Sequence, residues 1–557
     1  MSDTVAGLLQ VGALVVLLAV VYVPLGDYMA RVFTSERHLR VERFFYRVVR
    51  VDAGTEQKWT TYAAGVIGFS FVSVVLLYLI QRLQPFLPFG FGRGVDGDTI
   101  PPAMAFNNAV SFVTNTNWQS YVPEQVAGHT VQSAGLAVQN FLSAAVGLAV
   151  AVALTRGFLR SATDRLGNFW VDLTRGTVRI LLPFAFVAGI LLVAMGAVMS
   201  LKSGTDVTNV DGAQYTIPLA PAGSQEAIKE LGTNGGGIFN ANSSHPFENP
   251  NALSNLFEIF LLLVIPVSLT RTFGTMVRNT RQGTVLVAVM GVIWAALTAI
   301  AWFSESAART PAAIAAGAAM EGKEVRFGIP GSMLFAVSTT GTSTGAINAQ
   351  HDSLSGGAGA VTILNMLLGE VAPGGVGTGL YGILVVAIIA VFLAGLMVGR
   401  TPEYLGKKLG RREVTAASIS ILAMPALVLI GVGLAIALPG TGDAMNNSGS
   451  HGFSEVLYAY SSASNNNGSA FAGITVTSDF FQTTLGICML LGRFVPILAT
   501  LALAGCLARQ KKVEAGAGTL PTDGVLFSVL VGGTIILVAA LTFFPALALG
   551  PIVEALS

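Results

Sequence analysis

The sequence predicts an all-α polytopic membrane protein with ten transmembrane spans, built from four repeated quarters around a pore. Three observations carry that expectation. The chain is 53% hydrophobic and only 11% charged over 557 residues, whereas a soluble domain is about 25% charged. It holds ten apolar stretches close to the roughly 20 residues a helix needs to cross a bilayer. A short polar loop bearing glycine or asparagine also precedes an apolar span four times, at Thr114–Trp118, Gly232–Gly236, Thr342–Ala346 and Asn465–Ser469. Their central residues, Thr116, Asn234, Thr344 and Asn467, lie 118, 110 and 123 residues apart.

Taken in order, the expected spans are 5–26, 61–83, 131–155, 177–201, 253–270, 284–303, 358–397, 414–438, 480–507 and 524–548. The first has no basic leader and no small-residue cleavage site, so it reads as a retained helix rather than a signal peptide. The seventh is too long for one helix. A proline and a run of glycines between Glu370 and Gly379 must break it, and non-helical backbone at membrane depth is tolerated only inside protein or beside water. Cys488 and Cys506 lie in one apolar segment, which excludes a disulfide framework and a thiolate metal cage.

Lysine and arginine set the orientation. Of 31 such residues, 23 fall in five segments: 31–58, 156–179, 271–281, 400–412 and 509–512. These alternate strictly with the other loops, so they share one face, which the positive-inside rule assigns to the cytoplasm. Both termini and all four polar loops are then expected on the outer side.

Each quarter has the same plan: a span, a stretch too short or too polar to cross, the polar loop, then another span. The non-crossing stretches are Met104–Thr114, Ser224–Leu231, Ser332–Thr340 and Phe453–Ser464. A half-helix dipping in from outside aims its C-terminus, with roughly half a negative elementary charge, at the membrane centre. Four such ends favour a cation there. The loops that follow must supply oxygens. Gly235, Gly345 and Gly468 permit the backbone angles that turn successive carbonyls inward, and Asn117 in the first quarter is the next most tolerant residue. No loop carries a carboxylate. Neutral carbonyls suit a weakly hydrated monovalent ion, whereas divalent ions want Asp or Glu. Potassium fits, and rubidium or ammonium passes the same argument.

The strings SFVTNTNWQSY (111–121), ELGTNGGGIFNANSSHPFENPN (230–251), STTGTSTGAINAQHD (338–352) and SSASNNNGSAFAG (461–473) resemble the potassium-translocating subunits, KdpA, of the Kdp potassium-importing P-type ATPases. RTPEYLGKK (400–408) and GRFVPI (492–497) match as well. The resemblance covers essentially the whole chain. It implies the fold of the superfamily of potassium transporters, four tandem membrane–pore–membrane repeats with one extra helix at each end. The parts would be 1–58, an extra helix and cytoplasmic loop; 59–160, 161–275, 276–400 and 401–510, the repeats; and 511–557, the last helix.

The resemblance also implies a selectivity filter of Asn115-Thr116-Asn117, Thr233-Asn234-Gly235, Ser343-Thr344-Gly345 and Asn466-Asn467-Gly468, holding K+. Some family members have cysteine at position 344; threonine here leaves a backbone site intact. Gln119 would lie at the pore entrance. Gating and coupling would involve Glu370, Pro373, Gly374, Gly375, Arg493 and Arg400, with 371–379 as the intramembrane loop. The implied partners are a P-type ATPase subunit, a small single-span subunit and an accessory chain, in the plasma membrane of a bacterium.

Arg493 lies mid-span, where an arginine costs on the order of 3 kcal/mol unless paired or wet. Two readings stand: an ion pair with Glu370, or a fixed charge on the exit path that limits backflow. The second is favoured. Glu258, near the start of the fifth span, is expected to snorkel or to bond backbone, and the five histidines to be solvated in loops. The chain has no G-x-x-x-x-G-K-[ST] and no D-K-T-G, and no polar stretch long enough for a nucleotide-binding domain. No catalytic site, bound nucleotide or nucleic-acid partner is expected, and any ATP hydrolysis belongs to another polypeptide. The alternative is a stand-alone potassium channel or ion-coupled symporter.

Overall fold

The computed structural model describes residues 3–308, 311–514, 516 and 519–556. Among them, ten helices are long and apolar enough to cross a membrane: Thr4–Thr34, Trp59–Arg82, Val131–Leu159, Phe169–Met195, Ala252–Met276, Thr280–Ala307, Thr378–Met397, Arg411–Ala437, Asp479–Arg509 and Val525–Leu549, numbered here spans 1 to 10. Four shorter helices, Pro102–Val113, Ala222–Leu231, Gly328–Gly341 and Gly449–Asn465, fall between spans 2 and 3, 4 and 5, 6 and 7, and 8 and 9. They are numbered half-helices 1 to 4. The expected plan of span, half-helix, loop and span is therefore present four times, with spans 1 and 10 outside it.

Burial separates two rings. In spans 3, 5, 7 and 9 between 50% and 78% of the apolar 18-residue centre is buried, and in the other six 44% at most. The second span of every quarter thus faces protein and the first faces outward. Span 1 packs on span 5, and span 10 on spans 6 and 7. Close approach within the inner ring uses small residues, as membrane helices do. A Cβ on Gly147 of span 3 would meet the Val376 carbonyl oxygen at 2.3 Å, and one on Gly157 would meet the backbone of Ala504 in span 9 at 2.8 Å.

Several helices run past the apolar stretches because their charges are paired. Span 1 continues through Asp27, which accepts from Arg271 Nε at 2.8 Å and from Thr275 Oγ1 at 2.7 Å on span 5. Span 4 starts at Phe169 rather than 177. Asn168 caps it by accepting from the Trp170 amide at 3.1 Å, and Asp172 inside it binds Arg156 of span 3 through both oxygens, at 2.5 and 2.8 Å. The seventh stretch is broken as expected. A helix at Gly356–Leu367 ends, the chain unwinds, and span 7 begins at Thr378. The string Glu403–Lys408 folds as a small hairpin, with Leu405 and Gly406 both at positive φ, 53° and 74°, the signature of a two-residue primed turn.

Candidate ion-binding site

All four half-helices end in the same way. The amide of the central loop residue donates back to the carbonyl five residues earlier: Thr116 to Ser111 at 2.9 Å, Asn234 to Lys229 at 2.8 Å, Thr344 to Thr339 at 3.1 Å and Asn467 to Ser462 at 2.9 Å. The preceding residue is left-handed each time, with φ of 68° at Asn115, 48° at Thr233, 54° at Ser343 and 61° at Asn466. This is the Schellman cap, which usually takes glycine at the left-handed position. Here Asn, Thr, Ser and Asn fill it, and each can bond locally or across to a neighbour.

The third residue is left-handed again in three quarters: Asn117 at 59°, Gly235 at 107° and Gly468 at 102°. Asn117 adopts the expected glycine-like angle. Gly345 does not have a positive φ, so conformational freedom is not what requires glycine there; close approach is. A Cβ at Gly345 would stand 2.7 Å from the Gly468 carbonyl carbon, one at Gly235 would stand 2.4 Å from Gly345 Cα, and one at Gly468 would stand 1.9 Å from the Thr116 carbonyl oxygen.

The loops are tied into a closed circuit in chain order. Asn115 Nδ2 donates to the Thr233 carbonyl at 2.8 Å, and the Gly345 amide donates to the Asn234 carbonyl at 2.8 Å. Asn467 Nδ2 donates to the Thr339 carbonyl at 3.3 Å, and Asn466 Nδ2 closes the circuit onto Thr116 Oγ1 at 2.9 Å. Thr114 and Thr116 share a hydroxyl contact of 2.8 Å, repeated by Thr342 and Thr344 at 2.9 Å. All twelve residues expected to form the filter are buried apart from Gly468, which is half-buried. The ring separates two cavities. Asn117, Gln119, Gly236, Gly345 and Gly468 line one of about 380 Å³. Ser343, Asn466, Glu370 and Arg493 line another of about 130 Å³. Gln119 also braces the first loop, accepting from the Gly237 amide at 2.9 Å and donating to Tyr121 Oη at 3.1 Å.

The broken stretch lies directly against this ring. The Gly374 amide donates to the Gly341 carbonyl at 2.7 Å, and the Val376 amide to Thr233 Oγ1 at 2.8 Å. Pro373 and Gly374 fold back onto Gly379, where a Cβ would meet the Pro373 carbonyl oxygen at 2.2 Å. Gly375 packs on the Thr342 carbonyl and Ser343. Arg493 and Glu370 share the inner cavity without forming an ion pair. Arg493 Nη2 donates to the Ser143 carbonyl at 3.2 Å, and neither Glu370 oxygen accepts from the guanidinium. Arg400 is not brought to this place; it is exposed just beyond span 7.

A model of one family, the potassium-transporting ATPase A subunit, matches residues 12–556. The chain belongs to that family. It is 62% identical to the potassium-transporting ATPase potassium-binding subunits of Rhodococcus erythropolis and Nocardia farcinica, over the whole length of both partners in each case. It is 57% identical to that of Streptomyces coelicolor, again end to end. Among solved structures, the potassium transporter TrkH of Vibrio parahaemolyticus resembles it with a TM-score of 0.50 at 13% identity, covering 76% of this chain and 83% of that one. That likeness concerns the fold. As a member of the potassium-transporting ATPase A subunit family with ten apolar helices, the chain is a multi-pass membrane subunit in potassium transport.

Sequence reasoning missed three features. Glu258 does not snorkel: it is fully buried and neither oxygen accepts a hydrogen bond. The histidines are not simply solvated. His351 is fully buried with Nδ1 at 2.7 Å from Tyr458 Oη, and burial holds it down to about 3. His451 stands between Glu554, 2.6 Å from Nδ1, and Asp352, 3.1 Å from Nε2. The left-handed first residue of each filter triplet was also invisible, because Thr233 and Ser343 belong to types that rarely adopt it. The repeated Ser/Thr/Asn at that position was the available signal.

Proposed function

We propose that this chain takes K+ from the extracellular side, dehydrates it at the ring formed by its four loops, and passes it to a separate ATPase subunit. The carrying observation is the ring itself: four identically capped half-helix ends, closed into a circuit and free of carboxylates. Asn115, Thr116, Asn117, Thr233, Asn234, Gly235, Ser343, Thr344, Gly345, Asn466, Asn467 and Gly468 form the filter. The half-helix ends supply a negative field, and backbone carbonyls replace part of the hydration shell. Gln119 guards the outer mouth. The relatives' shared name, potassium-binding subunit of a potassium-transporting ATPase, supports both the ion and the partner. Repeats at 59–160, 161–275, 276–400 and 401–510 agree with the four-part plan, and the lysine and arginine bias favours outward-facing termini in a bacterial plasma membrane.

Beyond the ring the ion enters the inner cavity between the 371–379 loop, Glu370 and Arg493. With no carboxylate paired to it, the Arg493 guanidinium keeps its charge available to that space. A fixed cation there repels K+ and opposes return flow, while Glu370 offsets it. The chain itself holds no nucleotide and performs no hydrolysis. Arg400, at the charged end of span 7, is placed to meet a partner rather than the ion. The smaller single-span and accessory subunits complete the complex.

Rubidium uptake in cells carrying the whole complex tests the filter. Gly235→Asp and Gly345→Ser should each weaken apparent potassium affinity or selectivity at least tenfold. If both variants transport like the parent, the assignment is wrong. Expressing the chain alone separates the alternative: sustained ATP-independent potassium flux would make it a stand-alone channel or symporter.

A further inference from the structure

Behind the second filter loop lies a group of charges that ion selection at the ring does not use. Half-helix 2 carries Glu226, Lys229 and Glu230, all buried. Lys229 Nζ stands 2.5 Å from Glu226 and 3.4 Å from Glu248, and donates to Asn242 Oδ1 at 3.0 Å. Ser243 Oγ lies 2.7 Å from Glu226 Oε1 and 3.0 Å from Glu230 Oε1. The Ile238 amide donates to the other oxygen of Glu248 at 3.2 Å. One ammonium, one hydroxyl and one backbone amide thus serve three carboxylates.

A fourth carboxylate comes from a different element. Glu258, on span 5, is fully buried, and neither of its oxygens has a hydrogen-bond partner. It points at half-helix 2: one oxygen each from Glu226, Glu230 and Glu258 lie within 4.8 Å of one another. Glu230 Oε2 is likewise unpartnered. Arg326, which bonds carbonyls on either side of Glu248, is committed to Glu324 and to the Ser244 and Asn249 carbonyls. Four carboxylates against one ammonium is a large deficit of positive charge in a water-excluded place, where an unpaired carboxylate is strongly unfavourable.

We propose that Glu226, Glu230 and Glu258 form a second ion site, for a hard divalent cation of the calcium or magnesium class. Oxygens on opposite sides of a calcium ion at 2.3–2.6 Å stand about 5 Å apart, so the observed spacing admits one ion among the three. Carboxylates are the donors such ions prefer, and they are the groups missing from the filter. The two sites therefore take different ions. This one is structural, because the same segment builds the second filter loop: the Thr233 amide donates to the Glu230 carbonyl at 3.1 Å, and the Asn234 amide to that of Lys229. A Cβ at Gly237 would sit 3.1 Å from Glu248, so the cluster and the loop are in direct contact.

The test is thermal unfolding of the purified full-length chain in detergent, stripped with EDTA at neutral pH and then titrated with CaCl2 or MgCl2. The expected result is a saturable rise in Tm of several degrees, with about one metal ion per chain by elemental analysis. Glu258→Gln and Glu230→Gln should each abolish most of that rise and keep the Tm in EDTA at or above that of the parent, since each removes a repelling charge. The stabilisation by K+ should survive in both variants, which keeps this site distinct from the filter. Overturning results are a parent Tm indifferent to divalent ions and rising only as pH falls, which means protons neutralise the cluster, or an undiminished metal-dependent rise in both variants.

Discussion

Gly468 and Gly345 show why single residues decide the site. At Gly468 both demands meet: a φ of 102° and a Thr116 carbonyl oxygen where a Cβ would go. Gly468→Ala adds a left-handed penalty of about 1–2 kcal/mol to the steric conflict, so potassium affinity should fall at least tenfold in a rubidium-binding measurement. Gly433→Ala, where a Cβ meets nothing within 4 Å, should leave it unchanged. Arg493→Gln acts differently. It removes the charge below the ring while leaving the loops intact, so rubidium binding should persist and potassium leak back from loaded vesicles should increase. The glycines were legible in the sequence as turn formers. The separate reason for Gly345, backbone meeting backbone from another quarter, depends on residues more than a hundred positions away and has no local signal.

Ion pairs and caps act at the level of helices. Asp172 joins spans 3 and 4 by receiving Arg156 through both oxygens and Tyr62 Oη at 3.0 Å. Asp172→Asn leaves a buried guanidinium without its counter-charge, and should destabilise the protein by about 3–5 kcal/mol in a denaturation experiment. Near the N-terminus of half-helix 4, His451 lies between Asp352 and Glu554, which fastens the helix Pro551–Leu556 to the fourth quarter. Asp352 first, and then Glu554, pushes its imidazolium up to about 10, from an ordinary value of about 6.5. A raised value means the stabilisation is complete below about pH 6.5 and is lost as pH climbs through about 10. His451→Gln should therefore lower Tm at pH 6 by an amount equivalent to about 2 kcal/mol, reduced from the full linkage value by solvent screening. The two proteins should converge above pH 10. Neither pairing could be read in advance, since Asp352, His451 and Glu554 are scattered along the chain. The ten spans and four half-helices could be, because apolar length and interruption are local properties. Their ends shifted where a charge, such as Asp27 or Asp172, found a partner on another helix.

At the scale of the molecule, four copies of one plan place four capped helix ends around one axis, with the more buried span of each quarter inside. The even spacing of the polar loops foretold that arrangement, and the identical five-residue back-bonds at Thr116, Asn234, Thr344 and Asn467 match the residues from which that spacing was measured. The quarters are not equal. The first has Asn117 where the others have glycine, the third has a broken second span, and the second alone carries a buried carboxylate cluster on its half-helix. The central claim is that this ring selects potassium with neutral oxygens. Equilibrium binding of radioactive rubidium to the purified protein tests it most directly. Saturable binding displaced by K+ and not by an equal concentration of Na+, lost in Gly468→Ala and retained in Arg493→Gln, is the predicted result. Selective binding that survives Gly468→Ala unchanged would contradict it.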